Sequence, residues 1–444
     1  MSASDKPSSR RAKPSQRERL AEAMIELCAE LGYERVSIAQ ISSRAGVSSA
    51  TFYEQFAGKE DCMIEAYRIA RQRILTRLRP LAADADVMEA TGVALEALVN
   101  GIQTDPDAGR LLFVEALAGG PAVRTWRERA LQDYEAQVEA YLDSRATSGQ
   151  TLDIPVAALE GARRYIVSRQ LRNHAEDRLP KLAESLLSWV RAYLVPAGHG
   201  RWSVGPEAIL ARAPAMALPA PDLSGMWSER LPRGRHGLPP SFVARSQRMR
   251  IIAATAEVML EKGFTGTTVS EIVSCAGVSR DVFYENFADK QNAFQETQQF
   301  ATQYVVETCA AAYFREEDWP MRVWSALGTL LTLIAAFPAF AHVRLVECYA
   351  AGPGAIRISE EVVRSAGIFL EQGFGYREQA RTLPRLSAQA ITGGVLEIIY
   401  RHVARGEAES LPLRLPQLTY VVLAPFTGAA QAIEHVRKAI AAET

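Results

Sequence analysis

The feature that most constrains this chain is an internal repeat. Shifting the 444-residue sequence against itself by 231 positions aligns residues 15–62 with 246–293 without a gap and gives about twenty identical residues. We call these two segments the first head and the second head. A weaker similarity follows at an offset of 232, where residues 113–121 (FVEALAGGP) align with 345–353 (LVECYAAGP). Because the similarity continues beyond the heads, we infer that a whole module was duplicated.

Length and charge agree with two modules. A chain of 444 residues is too long for one ordinary domain. The net charge is −1, from 50 basic and 51 acidic residues, so any contact with a polyanion must be local. The N-terminus has no apolar signal region, and the most apolar stretch (324–341) is interrupted by Gly328 and Pro338. The five scattered cysteines form no metal-binding or disulfide pattern. We expect a cytoplasmic protein with no metal and no cofactor.

Each head reads as three short helices. In the first head, apolar residues at helical spacing lead to Gly32, a natural helix end, and Ser37 is placed to cap a second helix. Gly46 can adopt the positive φ of a tight turn, and Ser48 can cap a third helix that ends near Phe56. The second head repeats the pattern with Gly263, Thr268, Gly277, Ser279 and Phe287. This arrangement is typical of a helix-turn-helix unit.

The sequence AGVSxxxFYxxFAxK occurs in both heads, preceded in the first by IAQIS, and resembles the DNA-binding signature of the tetracycline-repressor (TetR) family. The resemblance covers about fifty residues in each copy. It implies an all-α fold of two tandem TetR-like modules, each with an N-terminal three-helix helix-turn-helix head and a C-terminal helical bundle. It also implies a DNA-binding transcriptional regulator, and a ligand-responsive repressor in particular, with double-stranded DNA and an unidentified small-molecule effector as partners.

The resemblance also assigns roles to residues of both heads. We expect Ser48 and Ser279 to cap the third, recognition helix, which would enter the major groove. The residues expected to face the bases are Ser49, Ala50 and Thr51 in the first head and Arg280, Asp281 and Val282 in the second. The residues expected to contact phosphates are Ser37, Tyr53, Lys59, Thr268, Tyr284 and Lys290.

The two base-facing sets differ chemically. Arg280 can donate two hydrogen bonds to guanine, whereas Ala50 and Thr51 offer mainly methyl groups suited to thymine. Asp281 can accept a hydrogen bond from cytosine or hold Arg280, but it can equally serve as a favourable first-turn charge on the helix dipole. We therefore expect a non-palindromic operator.

The repeat and the helix-breaking residues suggest domain limits. We expect helices throughout residues 86–194 and 317–442, with interface helices at 156–174, 180–194, 384–405 and 416–436. Basic residues ahead of and at the start of each head suggest arms that contact DNA or remain solvated tails. They are Lys6, Arg10, Arg11, Lys13, Arg17 and Arg19 in the first arm and Arg230, Arg233, Arg235, Arg245, Arg248 and Arg250 in the second. The predicted domains are a basic arm (1–14), the first DNA-binding domain (15–80), the first regulatory domain (81–195), a linker with a basic arm (196–240), the second DNA-binding domain (241–311) and the second regulatory domain (312–444).

Alternatives remain at the level of function and assembly. The signature motifs of common hydrolases, nucleotide-binding enzymes and metalloproteases are missing, so we do not expect an enzyme. The alternative function is an architectural or interaction protein in which one module has lost specific DNA binding. The favoured assembly is an intramolecular pseudo-dimer, and the alternative is a homodimer with four heads. Some aromatic residues could line a ligand pocket, although aromatic residues at helical spacing more often belong to the core: Phe113, Trp126, Tyr165, Trp324, Phe337 and Phe340.

Overall fold

The computed structural model describes residues 14–75, 86–145, 149–196 and 239–442. The proposed arm residues Lys6, Arg10, Arg11 and Lys13, and nearly all of the proposed linker with Arg230, Arg233 and Arg235, lie outside these ranges. The described residues are almost wholly helical, which confirms the all-α fold class. No single helix among them is both long and apolar enough to cross a membrane; Trp319–Ala336 and Pro338–Glu347 meet that test only as a pair bent by 104°.

The first module contains nine helices and a small sheet within the described residues. The helices are α1 (Gln16–Leu31), α2 (Ile38–Ala45), α3 (Ser49–Gln55), α4 (Lys59–Leu75), α5 (Val87–Thr104), α6 (Pro106–Phe113), α7 (Pro121–Arg145), α8 (Val156–Arg172) and α9 (Leu179–Val190). Strands β1 (Gln150–Leu152) and β2 (Leu194–Pro196) pair antiparallel, with Thr151 opposite Val195. The expectation of helices alone between 86 and 194 was wrong at these strands, because two short extended segments bond to each other across α8 and α9.

The second module repeats the order with some changes. Its helices are α10 (Pro240–Gly266), α11 (Val269–Ala276), α12 (Arg280–Asn286), α13 (Lys290–Arg315), α14 (Trp319–Ala336), α15 (Pro338–His342), α16 (Pro353–Ala366), α17 (Leu386–Ala404), α18 (Leu415–Thr427) and α19 (Ala429–Ala442). A π-helical turn, Val343–Glu347, continues α15. Helix α10 is bent at Gly263, where φ is +70°. The single helix expected over 416–436 is broken at Gly428, whose φ of +89° ends α18.

The described residues form two compact units. The first unit holds residues 14–75 and 100–130, and the second holds 86–99, 131–145, 149–196 and 239–442. In the first unit, α1 packs against α2, α4 and α6 around a fully buried core that includes Met24, Phe52 and Met63. In the second unit, the second head has its own core, in which Ile251, Ile272 and Phe283 are buried.

Helices from both halves of the chain meet inside the second unit. Helix α8 crosses α17 closely because glycines line the crossing: a Cβ on Gly161 would collide with Glu397, and a Cβ on Gly393 would collide with Tyr165. The two contacts are related by the offset of 232, since 161 and 165 become 393 and 397. A pair of contacts exchanged in this way is the signature of a two-fold interface. The crossing is therefore pseudo-symmetric within one chain.

Candidate nucleic-acid interface

The turn between the second and third helices of each head has the backbone that its sequence predicts. Gly46 and Gly277 are left-handed, with φ of +65° and +60°, so an L side chain at either position would be strained. The Oγ of Ser48 accepts a hydrogen bond from the amide of Thr51 at 3.0 Å, and the Oγ of Ser279 accepts one from the amide of Val282 at 3.3 Å. Both serines thus cap α3 and α12 as expected.

Neighbouring residues of α3 and of α12 point in different directions, one into the core of the head and the next into solvent. Phe52 and Phe283 are fully buried, and so are Phe56 and Phe287 just after the two helices. The adjacent tyrosines point the other way, since Tyr53 is 61% exposed and Tyr284 is 50% exposed. A large aromatic residue left this open in a small domain is available to an external partner.

Four of the six residues expected to face bases lie on the exposed side of α3 and α12. Ser49, Ala50, Arg280 and Asp281 are exposed. Thr51 is half-buried, and its hydroxyl lies 3.0 Å from the Ser48 hydroxyl. Val282 is also half-buried because it packs against the core of the second head. The exposed part of each set therefore lies in the first turn of its helix.

The capping boxes of α2 and α11, the second helices of the two heads, differ in charge. The side chain of Ser37 accepts from the amide of Gln40, and the side chain of Gln40 returns a bond to the amide of Ser37. In the second head the same reciprocal box joins Thr268 to Glu271. The hydrogen bonds from Lys262 and Thr268 lower the pKa of the Glu271 carboxyl to about 2. Both exposed caps sit where an N-terminal helix dipole meets solvent, a site that favours anions.

Lys59 and Lys290 hold the loop between the first two helices. The ammonium of Lys59 donates to the carbonyl of Tyr33 at 2.7 Å and lies 4.0 Å from the centre of its ring. Lys290 donates to the carbonyls of Phe264 (2.7 Å) and Thr267 (2.9 Å). Partial burial lowers the pKa of both lysines. Each lysine therefore stabilises the loop between the first two helices of its own head. This role does not depend on any contact with DNA.

Arginines counted with the basic arms in the sequence lie inside the first helices and brace the recognition helices. Arg17 donates to the carbonyl of Gln55 at the end of α3. Arg248, 231 positions later, donates to the carbonyl of Asn286 at 3.3 Å and pairs with Glu296 at 2.6 Å. The repeat of Arg17 at Arg248 was the available signal, because the identity recurs within the aligned heads.

A carboxylate outside each head binds the same loop. The Oε2 of Glu115 accepts from the amide of Tyr33 at 2.8 Å, and the Oε2 of Glu347 accepts from the amide of Phe264 at 2.7 Å. The recurrence of these glutamates at an offset of 232 is visible in the sequence, but their partners are not. Both modules thus have an equivalent charged hydrogen bond between the head and a segment that follows it.

Comparisons with known proteins agree with this geometry. The family model described as bacterial regulatory proteins, tetR family, matches residues 20–66 and 251–297. No curated protein matches the chain.

Solved structures resemble part of the chain. The fatty acid degradation regulator FadR from Bacillus halodurans is 18% identical, with 40% of this chain and 94% of that chain covered and a TM-score of 0.37. FadR from Bacillus subtilis, in complex with stearoyl-CoA, is 18% identical, with 40% and 98% covered and a TM-score of 0.35. A tetR-family regulatory protein from Rhodococcus RHA1 is 22% identical, with 38% and 96% covered and a TM-score of 0.31.

Proposed function

We propose that the protein is a sequence-specific transcriptional regulator that binds a non-palindromic operator with two unlike recognition helices. Support comes from the two segments that match the tetR family model. One observation carries this proposal. The positions that build each head recur, including Gly46/Gly277 and Phe52/Phe283, whereas the exposed pair Ser49-Ala50 is replaced by Arg280-Asp281.

The contacts with DNA follow from exposure and chemistry. Arg280 is an exposed guanidinium in the first helical turn, suited to bidentate bonds with guanine O6 and N7. Ala50 and Thr51 present methyl groups suited to thymine. In this proposal Tyr53, Tyr284 and the exposed caps Ser37 and Thr268 contact phosphates, and Lys59 and Lys290 contribute positive charge to their heads.

A single chain supplies both heads in this proposal. In the second unit, Arg164 on α8 donates to Glu397 on α17 at 2.8 Å, and Arg401 on α17 pairs with Glu135 on α7 at 2.6 Å. Tyr193 and Tyr420 add hydrogen bonds from each module to the other, to the carbonyl of Val421 and to Asp153, both at 2.7 Å. These buried partners support an intramolecular pseudo-dimer over a four-headed homodimer.

We further propose that the protein is a repressor that responds to a small molecule. The support is a cavity in the second module, bounded by α13, α14 and α17 and adjoining the segment that holds the second head. A ligand bound there could shift the head and so change its affinity for DNA.

Equilibrium binding to DNA distinguishes this function from an architectural one. The test compares the full-length protein on its selected site with a scrambled duplex of the same composition, at several salt concentrations. A regulator should prefer the site by about a thousandfold or more, since specific sites exceed random DNA by roughly 10³–10⁷. A small preference with steep salt dependence would instead indicate an architectural protein.

A further inference from the structure

The cavity of the second module is apolar almost throughout. It measures about 160 Å³, is partly open to solvent, and is bounded by Phe300, Leu333, Ile334, Phe337 and Ile399, with other aliphatic residues between them. An engineered protein cavity of roughly 150 Å³ lined by such residues stays dry and admits benzene. The space therefore suits a compact apolar body about the size of one aromatic ring.

One charged residue, Arg344, lines this apolar space. Its guanidinium donates to the Oγ of Ser359 at 2.8 Å. No carboxylate among the described residues forms an ion pair with it, and burial lowers its pKa. A half-buried cation without a counter-ion is unfavourable, because it loses part of its hydration and no anion replaces it. The hydroxyl oxygen of Thr302, also in the cavity wall, is buried without a hydrogen-bond partner among the described residues.

The segment that carries Arg344 has two faces. Phe340, Ala341, Arg344 and Leu345 line the cavity. Ala339 and Val343 instead pack with Ala256, Met259 and Phe294 of the second head and its following helix, and Glu347 holds the amide of Phe264. Arg344 and Glu347 share one π-helical turn, a local geometry often found at functional sites. The same short segment thus touches both the cavity and the head.

The first module lacks this cation. At the offset of 232, Arg344 aligns with Leu112, whereas Glu347 aligns with Glu115. Both glutamates bind the loop of their own head in the same way. The alignment at the offset of 232 therefore pairs structurally equivalent residues. Leu112 is buried, and a neutral aliphatic side chain there needs no counter-ion. The arginine is therefore a property of the second module.

We propose that the second module binds a small apolar carboxylic acid, with the ring or short chain in the cavity and the carboxylate on Arg344, and that binding acts on the second head through Glu347. This inference rests on the proposed ligand response and names its chemistry. A carboxylate accepts two hydrogen bonds from one guanidinium and neutralises its charge. An amide of the same shape fills the cavity equally well but leaves Arg344 without an anion.

Calorimetry on the full-length protein without DNA tests the ligand class. The probes are benzoate and hexanoate, each compared with its neutral isostere, benzamide or hexanamide, at pH 7.5. We expect each acid to bind about tenfold or more tightly than its amide, as a charge-assisted hydrogen bond provides. Equal affinity for acid and amide, or no binding of either acid, would overturn the proposal.

Two variants test whether Arg344 causes the preference for acids over amides. Arg344→Met keeps the side-chain length and should bring the acid-to-amide ratio to about one. Ser359→Ala removes the hydrogen bond to Arg344 but keeps the cation, so it should retain the preference. A preference that survives in Arg344→Met would contradict the assignment. If Arg344→Met does not fold, Arg344→Lys, which keeps a cation of different geometry, should fold and bind the acids more tightly than the amides.

The link to the head has its own test. Saturating benzoate should change the affinity of the native protein for its selected DNA site, and should leave that of Glu347→Leu nearly unchanged, because leucine has no oxygen to accept the hydrogen bond from the Phe264 amide. Acid binding without any effect on DNA affinity would overturn the link through Glu347. Failure of the DNA-binding proposal itself would appear separately, as a lack of site preference in the absence of any acid.

Discussion

At the scale of single residues, the two heads keep the phenylalanines of the third helix that fill the core and differ in the exposed first turn of the same helix. Phe52 and Phe283 fill the same place, and both are fully buried. Ser49 and Arg280 also occupy equivalent places, yet one is a short hydroxyl and the other a long cation. Because substitutions at exposed positions rarely affect stability, such residues can diverge to suit different DNA sequences without loss of the fold.

Arg280→Ala should weaken binding to the selected operator by about 1–3 kcal/mol, since a bidentate contact with guanine is lost. Specificity should relax at one base pair in one half of the operator. The measurement is equilibrium binding to operators that carry each base at that position. Ser49→Ala, the same position in the first head, is the matched control and should have a smaller effect confined to the other half. Equal loss of affinity for every DNA sequence would assign Arg280 to phosphates instead.

At the scale of elements, helix ends were the most predictable part of the structure. Gly46, Ser48 and their repeats act within four residues of sequence, and all adopt the predicted turn and caps. The partners of Arg17 and Glu115 were not predictable, because they lie 38 and 82 residues away and depend on how helices pack. The cavity was also not predictable from the sequence, because Phe337 and Phe340 at helical spacing are compatible with a filled core as well as with a cavity wall.

The capping box of α11 predicts a pH dependence at Glu271 in the second head. The pKa of Glu271 is lowered to about 2 in the folded protein, from an ordinary value of 4.5. Its stabilising contribution is therefore complete above about pH 4.5 and lost as the pH falls toward 2. Glu271→Gln should be less stable than the native protein at pH 6, and the difference should shrink at pH 3.

Urea denaturation of both proteins at the two pH values checks this prediction. Gln40→Glu in the first head is the matched control. It places a carboxylate in the same capping box, but Leu31 stands where the second head has Lys262. Its pH dependence should therefore be weaker. A stability difference between native protein and Glu271→Gln that stays constant from pH 6 to pH 3 would show that the carboxylate charge is unimportant there.

At the scale of the whole molecule, the contact between α8 and α17 joins two chemically different helix surfaces, one from each module. The glycine crossings repeat across the pseudo-two-fold relation, but the ion pair does not: Arg164 aligns with Leu396, and Glu397 aligns with Tyr165. Two identical copies of either surface would bury Arg164 or Glu397 without this partner, which is unfavourable. The charge asymmetry therefore favours pairing of the first module with the second.

Glu397→Leu should destabilise the protein by about 3 kcal/mol, because Arg164 stays buried with a weaker partner set. Adding Arg164→Leu should recover part of that loss. Urea denaturation of both single variants and the double variant measures the coupling. The exposed pair Arg385 and Glu371 is a control, and its removal should cost less than about 1 kcal/mol. Strictly additive effects at Arg164 and Glu397 would mean that the pair does not determine the packing.

The proposed function requires that one chain uses two unlike recognition helices. Selection of bound sequences from a random DNA pool with the full-length protein tests it most directly. We predict a single site with two dissimilar halves, one of which requires guanine at the position contacted by Arg280. A perfect inverted repeat, or a site with only one half, would contradict this account.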